Sequence, residues 1–460
     1  MNIAAFGLAL AAGALAAVTA PLALVLVLVV AMAAALYLHP RVFVPLLIAS
    51  VYFGAVAVGG IPLARLVGPI ALPVAVIAGI RHNGFDLRGT RLPFWIAGYA
   101  TLALASVYWS QAIDGTYALL FSLALAIVYM LAIVVLTRTR ADLRLALTAF
   151  PAAAIVLFAL GVVAFAIGDT PENARALIGD RNFAAAFMVI ALPVSVILAI
   201  GPRNRWERPL GVVASVCAVI GIIKTGSQGG ALALLGVTIV GAVIGPRPHL
   251  RRRLAPALVV ALPLIVTLVV VILSAGGPRT SSDSLKMSIE RSSIDRLNLW
   301  RGALHAYRSH PLTGIGYGAY AEHSAQYMLD TPGVNLKLYN LPTHPQEAHN
   351  TYLEELIELG PLGLGLFTAL IAGCLMTLGK ILRRARSERD VEMEQFSLAL
   401  ILSISGFAIA SFFLSVATNR GWWVIFGLTI AAARIAYDER LAKRSGSERS
   451  VVSNGEIFTR

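Results

Sequence analysis

The sequence predicts an all-α, polytopic integral membrane protein with about 12–14 transmembrane helices and one long external loop that itself contains helices. Three observations predict it. Hydrophobic residues make up 58% of the 460 and charged residues only 13%. The mean hydropathy is +0.78. The apolar residues gather in runs near the roughly 20 residues a helix needs to cross a bilayer. A soluble globular class is excluded by that composition.

The candidate spans, in order, are 3–19, 22–38, 43–59, 63–80, 92–108, 117–137, 143–167, 182–200, 209–223, 230–245, 255–274, 350–379, 396–416 and 421–437. The N-terminal Met1-Asn2 lacks the basic region of a cleavable signal, so the first run is expected to be a retained span. Four segments follow: a helical membrane bundle over 1–274, a large loop over 275–349, C-terminal membrane helices over 350–437, and a short, charged tail over 438–460. The tail is Ser-rich and expected to be disordered.

Basic residues set the expected orientation. Arg81, Arg88 and Arg91 share one loop, and Arg138, Arg140 and Arg144 another. Arg203, Arg205 and Arg208, then Arg247 and Arg251 to Arg253, then Lys380, Arg383, Arg384, Arg386 and Arg389 form the rest. They fall on every second loop, which places these loops and both termini in the cytoplasm. The net charge of +13 is therefore a topology signal, and no nucleic-acid partner is expected. Cys217 and Cys374 lie in apolar runs, so no disulfide framework supports the long loop, and no thiolate metal signature is present.

The loop is far longer than a connection needs, which points to function. Within 275–349 lie five of the eight histidines. Residues 292–309 read as an amphipathic helix capped by Ser292 or Ser293. Leu297, Trp300, Ala303, Leu304 and Tyr307 share its apolar face, with Arg296 in the middle, while Arg301, His305 and Arg308 form a basic stripe. An arginine on a burying face needs an anionic partner. That partner is either a loop carboxylate such as Asp295 or Glu322, or a bound phosphate, which guanidinium matches bidentately.

Next comes His310-Pro311-Leu312-Thr313-Gly314-Ile315-Gly316-Tyr317-Gly318, read as a helix terminator and packing turn. His349 is expected to open the following helix, with Leu353, Leu356 and Gly360 on its face and Glu354, Glu355 and Glu358 opposite. It is either a satisfied structural residue or a proton acceptor at the membrane boundary. At least one of the carboxylates should find a partner inside the bundle. Arg65, Arg175, Arg181 and Lys224 stand near the expected outer ends of spans. They either snorkel to the surface or line a pocket for a lipid-linked anion.

The stretch Arg296 to Arg301, then His310 to Gly316, then His349-Asn350 with Tyr352-Leu353-Glu354 and Gly360 to Leu364, resembles the O-antigen ligase family of bacterial membrane glycosyltransferases. Asp180-Arg181-Asn182-Phe183-Ala184 and the Thr225-Gly226-Ser227 turn resemble two further signatures of that family. The resemblance implies transfer of a glycan from undecaprenyl pyrophosphate to a lipid A–core sugar, at the periplasmic face of the bacterial inner membrane. It implies catalytic roles for His349 and Arg296 and substrate contacts from Arg65, Arg181, Lys224 and Arg301, among membrane lipids and without cofactor or metal. Where the family often has Ser-Arg-Gly, this chain has Ser227-Gln228-Gly229. Lys224, one helical turn away, is the candidate replacement for that arginine. Polymerase and protein O-oligosaccharyltransferase activities remain rivals. A transporter is disfavoured because the suspicious polar residues gather at one face instead of mid-membrane.

Overall fold

The computed structural model describes residues 42–53, 57–58, 61–81, 86–166, 180–201, 204–245, 283–332 and 346–455. The spans expected at 3–19, 22–38 and 255–274, and the residues Arg175, Arg251 to Arg253 and His344, lie outside the described residues. The helices are α1 (Phe43–Tyr52), α2 (Leu63–Arg81), α3 (Leu92–Ala105), α4 (Ile113–Leu136), α5 (Arg140–Ala166), α6 (Arg181–Ile200), α7 (Glu207–Thr225) and α8 (Gln228–Ile244). They continue with α9 (Asp283–Ser309), α10 (Ala319–Leu329), α11 (Thr351–Ser387), α12 (Val391–Ala410) and α13 (Arg420–Gly455). A two-residue antiparallel pair, Ala57–Val58 with Ile61–Pro62, precedes α2. The all-α, polytopic expectation holds: α4, α5, α6, α7, α11 and α12 are each long and apolar enough to cross a membrane.

Helix α6 is the central element. Ala184, Ala185, Ala186 and Ala191 let neighbouring backbones come close, and the helix is buried on nearly every side. It packs against α7, α12, α5 and α8. The same core extends to α13, where Trp422 and Trp423 are fully buried. Trp422 stacks on Phe407 of α12, their ring centroids 4.6 Å apart.

Alternating charge has a physical counterpart at one end of the bundle. Arg140 donates to Asp390 at 2.6 Å and to Glu439 at 2.6 Å. Arg144 reaches Glu207 at 3.2 Å. Arg434 is buried and donates to the carbonyls of Val134 and Thr137, closing the last turn of α4. Loops expected on one side of the membrane thus meet at one end. The tail departs from expectation: it continues α13 as helix to Gly455. Glu439 and Lys443 are tied to Arg140 and Glu388, and those pairs give the first turns beyond the bundle a reason to stay helical.

Two helices differ from the sequence pattern in ways that matter for the site. Helix α11 breaks at Gly360, which has φ 69° and ψ −170° and is followed by Pro361. The 27 residues after the break reach about 40 Å at 1.5 Å each, enough to span alone. Helix α9 starts at Asp283, well before the expected Ser292 or Ser293. Its buried face is Leu299, Ala303 and Ala306 with Asn298, so the expected face is rotated. Leu297 and Leu304 are exposed. Packing against α10 decides this: a Cβ on Gly302 would lie 3.0 Å from Met328 of α10, so small residues take that contact.

Candidate functional site

At the end of the bundle opposite the ion-pair network, three helices begin. Asp180 Oδ1 accepts from the amides of Asn182 and Phe183 at 2.7 and 3.3 Å, starting α6. Ser227 Oγ accepts from Gly230 N at 3.1 Å, starting α8. Asn350 Oδ1 accepts from Tyr352 N and Leu353 N at 3.1 Å each, starting α11. A helix N-terminus carries partial positive charge and favours anions. Ser227 Oγ also donates to Asn182 Oδ1 at 2.8 Å, which locks the first two starts together. The two short motifs around Asp180 and Ser227, joined through Asn182 and Ser227 at a separation of 45 residues, are therefore one structural unit.

His349 does not open α11, as its sequence position suggests. The helix begins at Thr351, and His349 sits before the Asn350 cap with φ 50°. Left-handed backbone is uncommon for a residue with a Cβ, and such strain persists only where surroundings enforce it. The enforcement is visible. His349 N donates to Ser415 Oγ at 3.0 Å. Thr351 Oγ1 donates to Leu414 O at 2.6 Å and accepts from Val416 N at 3.0 Å. Ala348 O accepts from Trp300 Nε1 at 2.9 Å. The turn after α12 and the helix α9 thus both hold this one segment.

Trp300 is one turn beyond Arg296, so the same contact positions the arginine. The Arg296 guanidinium lies 5.8 Å from the centre of the Phe413 ring. Behind that ring, a Cβ on Gly229 would sit 2.8 Å from Phe413 Cβ, so α8 also presses on the arginine's platform. Among the described residues Arg296 makes no ion pair. The expected partner Glu322 is instead placed against Gly115, and the side chain of Asp295 lies outside the described ones. Burial, then the positive charge of Arg181, lowers the Arg296 pKa, while Asp180 opposes them. Burial and Arg296 likewise push the His349 imidazole below its ordinary value, again opposed by Asp180. Arg296, His349, Asp180 and Arg181 are thus close enough to act on one another electrostatically, and burial and Arg296 together favour the uncharged form of the histidine.

The three carboxylates of α11 are all engaged. Glu354 accepts from Ala348 N at 3.3 Å and is hydrogen-bonded to Ser415. Glu355 accepts from Tyr99 at 2.7 Å. Glu358 accepts from Gly318 N at 2.7 Å and Tyr320 N at 3.3 Å, at the start of α10. The turn of three glycines docks on the break in α11: the amides of Ile315 and Gly316 donate to the carbonyls of Ile357 and Glu358, at 2.9 and 3.0 Å. The expected packing turn is therefore seen.

Of the sequence-predicted site residues, the structure gathers Arg296, Arg181 and His349. Lys224 is exposed in the last turn of α7, in the turn that Ser227 ties to Asn182. Arg301 is exposed on α9, away from the Arg296 face. Arg65 is in the first turn of α2, and its side chain lies outside the described ones. Asp180 entered only as part of a family-like stretch, and Glu347, Phe413 and Ser415 have no motif in the sequence that marks them. Surrounding protein, then the like charge of Asp180, pushes the Glu347 carboxyl up to about 7. Only the sequence position of Glu347, two residues before His349, could have drawn attention to it.

Fold and site together define a multi-pass helical membrane protein with a histidine and arginines gathered at one end of its bundle. Residues 213–368 match the model of the O-antigen ligase family. The match covers Lys224, Ser227, Arg296 and His349 and leaves Arg65, Asp180 and Arg181 outside it. A protein named as a candidate polysaccharide ligase in Rickettsia prowazekii (strain Madrid E) is 27% identical over 146 residues, 31% of this chain and 32% of its own. Its counterpart in Rickettsia typhi shows the same identity and coverage. The chain thus spans about a third of the length of these two relatives. The teichuronic acid biosynthesis protein of Bacillus subtilis (strain 168) is 23% identical over 384 residues, 77% of this chain and 73% of its own.

Proposed function

We propose that the chain is a polysaccharide ligase of the O-antigen type, joining a glycan carried on undecaprenyl pyrophosphate to a sugar hydroxyl of lipid A–core. The reaction faces the periplasm and the protein sits in the inner membrane. The observation that carries this reading is the partly buried Arg296, without a carboxylate partner among the described residues, beside His349 and three helix N-termini. That arrangement suits an anion that arrives with the substrate.

The acceptor oxygen attacks the anomeric carbon of the donor's first sugar. The bond from that carbon to the pyrophosphate oxygen breaks, and undecaprenyl pyrophosphate leaves. His349 takes the proton of the attacking hydroxyl. Arg296, with Arg181 and the start of α6, stabilises the charge that grows on the leaving oxygen. Lys224 supplies the cation that the Gln228 position lacks, and Arg65 contributes further out. In-line attack inverts the anomeric configuration. No nucleotide sugar and no metal takes part.

Reconstitution with purified lipid-linked glycan and lipid A–core, without nucleotide or added divalent metal, tests this. The expected product is lipid A–core carrying the glycan, with inverted linkage by NMR. Ligation that requires a divalent ion or retains configuration would overturn the mechanism. The rival reading is a polymerase acting on the same lipid-linked donor. It predicts glycan lengthening on the lipid carrier with no transfer to lipid A–core.

A further inference from the structure

We propose that the exposed face of α9 lies on the headgroup layer of the membrane, burying Leu297 and Leu304 in its apolar side and setting Arg301 and Arg308 on lipid phosphates. These four residues follow one another by four, three and four positions, which puts them in a single stripe at about 100° per residue. Leu297 is 46% exposed and Leu304 43%, and both arginines are exposed. Leucine alternating with arginine along one stripe is the composition of an interfacial helix: the apolar chains enter the acyl boundary and the long cationic chains reach the phosphates.

The placement of α9 supports the same occupant. Near its Arg296 end it meets Phe413, beyond the last turn of α12, and the segment before α11. At its other end His310 contacts Gln111, just before α4 begins, and Ile315 O accepts from Gln111 N at 2.9 Å. Both ends therefore rest on the same ends of membrane helices. The helix runs along the membrane surface for about 20 Å between them. The stripe is about a quarter-turn away from the face that holds Arg296 and Trp300 against the spans, so it looks sideways, at the level of the headgroups. Two further exposed leucines flank the break in α11: Leu312, whose carbonyl meets a Cβ built on Gly360, is 80% exposed, and Leu362 beyond that break is 59% exposed. An anionic phospholipid surface fits this stripe in both charge and apolar content.

The test uses the full-length protein with Cys217→Ala and Cys374→Ala, labelled with an environment-sensitive fluorophore at Leu304→Cys. A second preparation carries the label at Glu322→Cys, an exposed position on α10. Both are reconstituted in phosphatidylethanolamine vesicles with varied phosphatidylglycerol, with and without phospholipid brominated near the headgroup. The label at position 304 should be quenched by more than about twofold, and more strongly than that at 322, which packs against the first turn of α4. Quenching at 304 should rise with the phosphatidylglycerol fraction and lose that dependence in Arg301→Gln/Arg308→Gln. Equal, weak quenching at both positions would overturn the proposal, whether the face meets water or another copy of the chain. Quenching at 304 indifferent to phosphatidylglycerol in the unsubstituted protein would remove the two arginines from it.

Discussion

The amide of Gly316 donates to the carbonyl of Glu358 at 3.0 Å, while the side chain of Glu358 accepts from Gly318 two residues on. One residue of α11 thus grips the glycine turn with both backbone and carboxylate. The grip exists because α11 breaks at Gly360 and releases carbonyls that a continuous helix would use itself. His349 stands at the head of the short helix above the break. Whatever fixes that helix fixes the histidine.

Removing the Glu358 carboxylate should therefore destabilise the outer assembly. Glu358→Ala leaves two buried amides without an acceptor, at a cost of about 1–3 kcal/mol. Glu358→Gln keeps an acceptor oxygen and should cost clearly less. Thermal unfolding of each variant in the same detergent measures it. Equal losses would mean that the acceptor is irrelevant and only volume counts. Gly360→Ala should be worse than either, since its φ is 69° and the new Cβ would meet Leu312 O.

Much of the fold was legible because membrane helices announce themselves by length and composition. The break in α11 was not, although Gly360-Pro361 was in plain view, since a Gly-Pro pair inside an apolar run reads equally as a tolerated kink. The rotation of α9 was hidden for a different reason. Periodicity chose the large side chains Leu297 and Leu304 as the buried face, whereas close packing on α10 selected Gly302, Ala303 and Ala306. The gathering of Arg181, Arg296 and His349 was reached by resemblance. Asp180 lay inside a recognised stretch without a role of its own, and Phe413, which supports the arginine, carries no pattern.

Asp180 gives a prediction with a definite sign. Its negative charge stabilises the His349 imidazolium and so raises a pKa that burial and Arg296 lower. Asp180→Asn keeps a good helix cap but removes the charge, so the His349 pKa should fall further. A base works only when neutral, and its activity is lost as pH falls through its pKa. The acidic limb of the turnover profile should therefore move to lower pH in Asp180→Asn. A limb that stays in place, or moves up, would separate His349 from that titration.

Arg296 should be sensitive to shape as well as charge. Lysine offers a point charge in place of a planar fork and packs less well on Phe413. Arg296→Lys is expected to lose more than about tenfold in kcat/KM, about 1.4 kcal/mol of transition-state stabilisation, with folded yield unchanged. Near-normal ligation by this variant would reduce Arg296 to a general positive charge.

Sidedness can be tested at described, exposed positions. Glu322→Cys on the outer assembly and Arg205→Cys at the ion-paired end should differ in labelling by an impermeant thiol reagent in intact spheroplasts, with Glu322→Cys the reactive one. The reverse pattern would invert the proposed orientation.

His349 offers the sharpest division between a chemical and a structural role. A general base contributes about 10²- to 10⁴-fold to rate. A lost structural contact lowers the amount of folded protein and leaves turnover per folded molecule intact. His349→Ala alone is a clouded test, because φ is 50° there and a new residue must also accept that backbone. Asparagine accepts it more readily than most residues and has no basic nitrogen. Both variants should insert and bind the lipid-linked donor nearly as well as the unsubstituted protein, and both should fail to make product. Turnover per folded molecule and donor binding are measured on one preparation of each. If His349→Asn keeps more than about a tenth of the turnover, even the weakest base contribution is excluded. The proton would then belong to another group, with Glu347 the first to substitute, since its carboxyl is pushed up to about 7 beside the same Asp180.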